Sequence, residues 1–577
     1  MKKAFLLCLL YCFLPANAQI NWHNPMNAGM PTVQNQGWTN EIGHTYTRLP
    51  ERAKQSVREA VWNLSRNSAG LAIHFYTNTP EIRVRYAVSE RTSMLHMPAT
   101  GVSGIDLYSI DSDGNWNRCA GGYTFNDTIQ YTFSNIPKNR QHNNGYEYRL
   151  FLPLYNTVKW LEIGVDETAE FTFVPLSPEK PILLYGTSIA HGACASRPGM
   201  AWSNILQRSL DYPLINLGFS GNGRLEKEVI DLIAETDARL YILDCLPNVD
   251  GREEAELIPL IVNAVKQIRR QRAAAPILLV EHIGYANGAT NSKLLESYTR
   301  ANRANRKAYE QLLNENIGNL YYLTREELNI PADGWVDHIH PNDLGMQAQA
   351  TAVEAKIREI LKLPVGDLAT TRPVTQRREP YKYEWKKRHN EILTRHRQNP
   401  PRSVIIGNSI THFWGGEPLD TEKSGIDSWN AHMQPAGFQN MGYGWDRIEN
   451  VLWRIYHDEL DGFEAEKVVL MIGTNNFGRD TDDSIIEGLR FLLAAIRERQ
   501  PQAEIKLIGI LPRRNAEEWV KNINYRIQEI AIRDNYNFQD PGGALLQPDG
   551  KINETLFSDG LHPNAQGYQL IVRTIVD

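Results

Sequence analysis

Cysteine is scarce, with only five in 577 residues. Two of these, Cys8 and Cys12, fall in the first eighteen residues, which leaves Cys119, Cys194 and Cys245 for the rest of the chain. Three cysteines admit at most one bridge, so a disulfide-stapled scaffold is excluded and stability has to come from packed cores. Long apolar runs are also missing. Beyond residues 4–14 no stretch approaches the roughly 18 apolar residues a spanning helix requires, which argues against a membrane span. An excess of charge of one sign is absent too: 61 Lys and Arg stand against 67 Asp and Glu, a formal net charge of −6. Without basic clusters there is no electrostatic footprint for nucleic acid or an anionic membrane. The 41 Gly and 30 Pro are spread through a chain that is 42% hydrophobic and 22% charged. That composition excludes a collagen-like repeat, a coiled coil and a disordered tail, and is ordinary for a globular protein.

At roughly 100–200 residues per domain the length predicts three or four domains. Residues 1–18 have the layout of a secretory signal: Lys2 and Lys3, an apolar stretch, then Ala16-Asn17-Ala18 where a peptidase cuts. Cleavage after Ala18 predicts a secreted or periplasmic protein beginning near Gln19, and bulky Tyr11 before Cys12 disfavours a lipid anchor there. Residues 19–178 read as β-structure. Apolar residues alternate in Ile73/Phe75 and Ile82/Val84/Tyr86, with a turn at Asn78-Thr79-Pro80, and further strands are expected over 129–133, 148–152 and 158–165. A β-sandwich, jelly-roll-like module is the expected result. Over residues 179–362 the rhythm changes to short apolar runs such as Ile182-Leu183-Leu184-Tyr185 alternating with segments of helical period. This is the α/β pattern of a parallel sheet covered on both faces, a three-layer α/β/α domain. Residues 363–380, rich in Pro, Thr and Arg, read as a linker or a strap across a domain face. The α/β rhythm restarts over residues 381–577.

The two α/β halves repeat each other. Tyr185-Gly186-Thr187-Ser188-Ile189 corresponds to Ile406-Gly407-Asn408-Ser409-Ile410, and Asp337-His338-Ile339-His340-Pro341-Asn342 to Asp559-Gly560-Leu561-His562-Pro563-Asn564. Ser188 and His340 are 152 residues apart, Ser409 and His562 153. Chance does not place both motifs at matching spacing twice. A serine hydroxyl becomes a useful nucleophile when an imidazole takes its proton and a third group fixes the imidazole's tautomer. A serine between strand and helix stands at the carboxyl edge of the sheet, where open α/β folds place their sites. Candidate oxyanion donors occur in the same order in both halves. Asn216-Leu217-Gly218-Phe219-Ser220-Gly221-Asn222 is matched by Asn440-Met441-Gly442-Tyr443-Gly444-Trp445-Asp446, and Asn248 by Asn475.

These four segments, in this order, resemble the four sequence blocks of SGNH (GDSL-like) hydrolases, over residues 180–362 and again over 380–577. The resemblance implies nucleophiles Ser188 and Ser409, bases His340 and His562, and orienting acids Asp337 and Asp559. It also implies oxyanion donors from each serine's own N–H, from Gly221 or the matching Trp445, and from the side chains of Asn248 and Asn475. The second half is similar to the platelet-activating-factor acetylhydrolase-like branch. Gly104-Ile105-Asp106-Leu107-Tyr108 resembles the G-x-D-L-Y signature of a β-module that precedes some SGNH esterases. There are departures. The family's G-D-S is Gly-Thr-Ser in one half and Gly-Asn-Ser in the other, Leu246 replaces a glycine two residues before Asn248, and Trp445 replaces another glycine. Leu246 makes the first half the likelier to have lost activity.

The chemistry expected is acyl transfer to water without metal or cofactor. His338-x-His340 has no third ligand at suitable spacing to make a metal site. Export, tandem sites and aromatic residues fit removal of acetyl or similar small acyl groups from a polysaccharide or glycan, with Trp116, Trp414 and Trp445 as candidate sugar contacts. A lipid or short-chain ester hydrolase, and a glycan-binding protein with one inactive half, are the competing readings.

Overall fold

The computed structural model describes residues 19–378 and 383–577; the expected signal segment lies outside them. Residues 20–173 form two antiparallel sheets face to face. One is ordered Ile20–His23, Val158–Asp166, Ile82–Val88, Ile129–Phe133, Gly122–Phe125; the other Phe171–Phe173, Ala72–Thr77, Tyr146–Phe151, Asp106–Ile110, Trp116–Cys119, with Val33–Gln34 added at Ala72–Thr77. Alternating side chains of both inner faces, among them Ile73, Phe75, Val84, Tyr86, Ile129, Leu150 and Ile163, make the sandwich core. Asn78-Thr79-Pro80 turns as expected, yet the strands it joins belong to different sheets, so it is a crossing between layers and not a hairpin. The strand Ile20–His23 and those over 116–125, partly exposed and weak in pattern, and the two-residue strand Val33–Gln34, buried but too short to show one, have no counterpart in the sequence reading.

Two five-stranded parallel sheets follow. The first is ordered Leu214–Gly218, Ile182–Gly186, Leu240–Asp244, Ile277–Val280, Leu320–Leu323; the second Phe438–Gly442, Ser403–Gly407, Lys467–Met471, Glu504–Ile508, Asn537–Gln539. Their central strands are buried end to end, as expected where helices cover both faces. In each sheet the first strand in sequence lies between the second and the third. The order therefore reverses at that strand's carboxyl end, where Ser188 and Ser409 begin short helices.

The parts interlock. A single apolar cluster runs from Ile182 and Met346 of the first α/β unit through Trp385 to Val404 and Leu489 of the second. Arg239 grips Asp458 with two hydrogen bonds of 2.8 and 2.6 Å. Trp38, Ile42 and Trp62, early in the chain, pack against Ile215 and Ile230 and complete the core of the first α/β unit. Residues 363–378 are a strap: Thr370 donates to the Ser484 carbonyl (2.7 Å), and buried Arg377 meets Glu147 of the sandwich at 2.5 Å. Gly114, at φ +82°, lets a sandwich turn approach the strap, since a Cβ there would stand 2.2 Å from the Thr375 carbonyl oxygen. All three described cysteines are free thiols. Among the described residues no helix is long and apolar enough to cross a membrane.

Candidate active sites

Each D-x-x-H-P-N segment folds into the same small device. Asp337 Oδ1 accepts the N–H groups of Ile339 and His340 (2.9 and 2.8 Å), and Asp559 Oδ1 those of Leu561 and His562 (2.9 and 2.8 Å). The terminal asparagine caps the helix that follows, Asn342 through Leu344 N–H (2.9 Å) and Asn564 through Gln566 N–H (3.1 Å). The second carboxylate oxygen is left for the imidazole, at 2.8 Å from His340 Nδ1 and 2.7 Å from His562 Nδ1. A carboxylate there holds the proton on Nδ1 and leaves the Nε2 lone pair for the serine. Ser188 Oγ stands 2.9 Å from His340 Nε2 and Ser409 Oγ 2.8 Å from His562 Nε2. Partial burial raises Asp337, but the His340 hydrogen bond and the two backbone donors outweigh it and hold the carboxyl at about 2. Asp559 is lowered likewise, burial being outweighed by the His562 backbone and side-chain donors. Both acids are therefore anionic at any working pH.

The serines are fixed from below. Asn216 Nδ2 donates to the Ala190 carbonyl and Asn440 Nδ2 to the Thr411 carbonyl, each at 2.7 Å, so an asparagine on the neighbouring strand pins each nucleophile helix. The helix comes so close that a Cβ on Gly218 would lie 2.3 Å from His191 N, and one on Gly442 2.3 Å from His412 N. That explains the Asn-x-Gly of both halves. Where the family's G-D-S has an aspartate before the serine, Thr187 Oγ1 and Asn408 Oδ1 cap the helix, accepting from Ile189 N–H (3.3 Å) and Ile410 N–H (2.9 Å).

The donor side is built twice as well. Gly221 and Trp445 occupy matching positions in left-handed conformation, φ +68° and +63°. Among the described residues the N–H groups of Ser188, Ser409, Gly221 and Trp445 have no acceptor within the chain. Asn248 Oδ1 accepts from the N–H groups of Asn222 and Gly223 at 3.0 Å each, the amide orientation that satisfies both ends and leaves Nδ2 as a donor. Asn475 Nδ2 is anchored to the Asp446 carbonyl at 3.0 Å with its second hydrogen to spare. Leu246 does not disrupt the first site. It turns into the core, and the 3-10 turn there begins at Leu246 itself, whereas Gly473 at φ +124° precedes the equivalent turn. Each arrangement places a serine hydroxyl, an imidazole and a carboxylate in hydrogen-bonded series beside N–H groups without acceptors in the chain, a set of groups suited to nucleophilic attack and to holding an oxyanion.

Of the tryptophans, Trp445 is half exposed beside the second set of donors. Trp414 is not a surface contact: it is fully buried, stacked on Tyr568 and donating to Ser428 Oγ at 2.9 Å, because the sequence after Ser409 turns inward under the sheet edge. Trp116, on the edge strand of its sheet, is partly buried against Tyr108 and Phe151, outside the sandwich core, and is covered by Arg149 at 4.4 Å.

Residues outside the four repeated segments also border both sites. Asp106 of the G-x-D-L-Y segment accepts Gly199 N–H and an Arg197 N–H (2.7 Å each), and Tyr108 receives a second bond from Arg197 (2.8 Å). The signature thus docks the sandwich onto the loop that follows the Ser188 helix. Tyr155 donates to the Ser188 carbonyl at 3.2 Å. In the second site the strap, with Tyr383 beyond it, holds the donor turn: Gln376 and Tyr383 donate to the Gly444 carbonyl (2.9 and 2.8 Å), and Arg378 to the Trp445 carbonyl (3.1 Å) while bonded to Asp113 of the sandwich (2.8 Å).

Comparison with known proteins identifies the family of the domains that carry these residues. Residues 179–358 and 405–570 each match the GDSL-like Lipase/Acylhydrolase family, and residues 20–171 match the GxDLY domain, described as the N-terminus of SGNH-hydrolase-type esterases. The chain belongs to the GDSL-like lipase/acylhydrolase family. It carries two SGNH hydrolase domains of the ester-hydrolase class behind a GxDLY module. The α1 subunit of platelet-activating factor acetylhydrolase IB from Bos taurus is 27% identical over 196 residues, 33% of this chain and 80% of that protein. The α2 subunit from Homo sapiens is 25% identical, over 33% of this chain and 81% of its own. A crystal structure of a GDSL-like lipase from Bacteroides ovatus ATCC 8483 shares 33% identity and a TM-score of 0.55, covering 60% of this chain and 98% of that one.

Proposed function

We propose that the protein is an exported serine esterase that removes acetyl or similar small acyl groups from a polysaccharide or glycan, using both SGNH domains. Ser188 and Ser409 attack the ester carbonyl as His340 and His562 accept the hydroxyl proton. Asp337 and Asp559 keep the imidazoles oriented and stabilise the imidazolium that forms. The developing oxyanion takes N–H groups from the serine, from Gly221 or Trp445, and from Asn248 or Asn475. Imidazolium then protonates the departing sugar oxygen, and the freed imidazole activates the water that releases the acid. The observation that carries the reading is the pair of pre-assembled relays, with serine to histidine to aspartate distances of 2.9 and 2.8 Å in one domain and 2.8 and 2.7 Å in the other.

Acetyl as the acyl group is supported by the acetylhydrolase relatives. The glycan is supported by Trp445, an aromatic surface held half open on the oxyanion turn, and by Phe477 and Trp519, whose rings lie 4.4 Å apart just beyond Asn475. Export rests on the pattern of residues 1–18.

The test uses the parent, Ser188→Ala, Ser409→Ala and the double variant on nitrophenyl esters of increasing chain length and on acetylated xylan, mannan and pectin. Acetate release from at least one polymer, a preference for acetyl over longer chains, and loss of activity only in the double variant are expected. Turnover of long acyl esters in preference to acetate replaces the glycan with a lipid substrate. Abolition by Ser409→Ala alone reduces the first domain to a scaffold.

A further inference from the structure

Side chains from three separate segments converge at the first site in a way the hydrolytic chemistry does not use. The module's loop over residues 89–98 is pinched by reciprocal main-chain bonds between Met94 and Met97 (3.0 and 3.2 Å), and it presents His96 at its tip. The His96 ring lies 5.8 Å from that of His340, 17° from parallel. Cys194, in the turn after the Ser188 helix, is buried with a left-handed backbone at φ +70°. One ring nitrogen of His96, one of His340 and Cys194 Sγ all lie within 4.8 Å of one another.

We propose that His96, Cys194 and His340 form an inhibitory Zn2+ site, which shuts the first esterase site while the second keeps working. Two imidazoles and a thiolate suit zinc, which takes nitrogen at about 2.0–2.1 Å and sulfur at about 2.3 Å in a tetrahedron with water in the fourth position. Donor atoms within 4.8 Å of one another must close in by up to about 1.5 Å to reach those lengths, and His96, on an exposed loop, supplies the movement. As the Zn–S bond forms, the Cys194 proton passes to solvent, and no electrons are exchanged. Both nitrogens of His340 are already engaged, Nε2 by Ser188 and Nδ1 by Asp337. Coordination through Nε2 takes the lone pair the serine proton needs; coordination through Nδ1 displaces Asp337 and moves the Nδ1 proton away. Either bond to zinc breaks the relay.

Among the described residues the second site has no such trio. Gly415 stands where Cys194 does, and the ring packed on His562, at 5.2 Å, is that of Phe413. The metal therefore discriminates between two otherwise matching relays in one chain. The proposal rests on the esterase reading of the first site only for its consequence, since binding has a readout of its own.

Cobalt is titrated into the full-length protein as a spectroscopic stand-in for zinc, and the parent is compared with His96→Ala and Cys194→Ser. A sulfur-to-cobalt charge-transfer band is expected in the parent, absent in Cys194→Ser and requiring at least tenfold more metal in His96→Ala. In parallel, nitrophenyl acetate hydrolysis is followed with Zn2+ in Ser409→Ala, which leaves only the first site, and in Ser188→Ala, which leaves only the second. At least tenfold inhibition of the former, reversed by EDTA and shifted at least tenfold in zinc concentration by adding His96→Ala, is expected, with the latter unaffected. A cobalt spectrum without the sulfur band, equal inhibition of both variants, or inhibition indifferent to His96 overturns the proposal. If Ser409→Ala is inert without metal, the esterase reading of the first site fails while the cobalt spectrum still decides the metal site.

Discussion

Asp244 makes the first hydrolase domain sensitive to pH. It ends the strand Leu240–Asp244 opposite Gly186, just beneath the Ser188 turn; in the second copy Met471 faces Gly407 at the same place. The carboxyl is buried, its Oδ2 accepting only from Gln349 Nε2 at 3.3 Å and its Oδ1 without a partner. Burial pushes it from 3.8 up to about 7, and the Gln349 hydrogen bond pulls back only part of that shift. A carboxyl raised on folding stabilises the protein fully below its unfolded value, and that contribution is lost as the pH climbs to the folded value. Stability should therefore fall between about pH 4 and pH 7 and then level off. About three pH units at about 1.4 kcal/mol each give on the order of 4 kcal/mol. For a domain of this size that is on the order of 10 °C in melting temperature. Asp244→Asn keeps the shape and the Gln349 contact while removing the ionisation. Calorimetry of the parent and Asp244→Asn from pH 4 to 8.5 should show the two coinciding at pH 4. At pH 8 the variant's first-domain transition should be higher by several degrees, with the second-domain transition unmoved. Coincident curves at pH 8, or a gain already present at pH 4, would refute the reasoning.

Asp337→Asn and Asp559→Asn, each measured with the other domain's serine replaced by alanine, should lower kcat on the order of 10^4-fold by freeing the wrong histidine tautomer; a loss below tenfold contradicts the relay. Trp445→Gly in a Ser188→Ala background should leave stability within about 1 kcal/mol, because relief of left-handed strain offsets added chain entropy. Its nitrophenyl acetate kcat/KM should stay within threefold while KM for acetylated polymer rises at least fivefold; equal effects on both substrates would remove Trp445 from glycan contact. Arg378→Gln should reduce second-site kcat at least tenfold by loosening the Trp445 carbonyl and leave the first site unchanged, read with the same single-serine variants.

Both relays were legible in the sequence because each depends on short, local motifs whose spacing recurs. The sheet edge that holds Ser188, and the Asp337 and Asn342 hydrogen bonds that shape the His340 loop, involve neighbours within a few residues. The candidate donor turns match in backbone conformation as well as in sequence position, although by different means. Gly221 predicts a left-handed turn by residue type, whereas Trp445 adopts the same φ because the strap and Arg378 hold its carbonyl. Trp414 misled because its burial depends on Tyr568, far along the chain. His96 could not be found by spacing at all, since it reaches His340 only after the sandwich docks, and a search for metal pairs near His338 looks at the wrong neighbour. The edge strands of the sandwich escaped notice for lack of an alternating apolar face.

The module and strap explain why one relay built twice need not give one activity twice. At the first site the sandwich is itself a wall: Asp106 and Tyr108 clamp the loop after the nucleophile, Tyr155 holds the Ser188 carbonyl, and His96 stands over the base. At the second site the sandwich acts at one remove, through Asp113, which pairs with Arg378 (2.8 Å) and Arg447 (3.2 Å) beside the Trp445 turn. The loop over 89–98 reaches His340 through His96, whereas Gln376 and Arg378 of the strap bond the Gly444–Trp445 turn, so each relay is bordered by a segment that lies outside its own motifs. The duplicated chemistry is thus separated from its specificity. The two sites therefore differ around matching relays: residues 89–98 border the first, residues 376–378 brace the second, and within the donor turn itself Trp445 stands where the first half has Gly221.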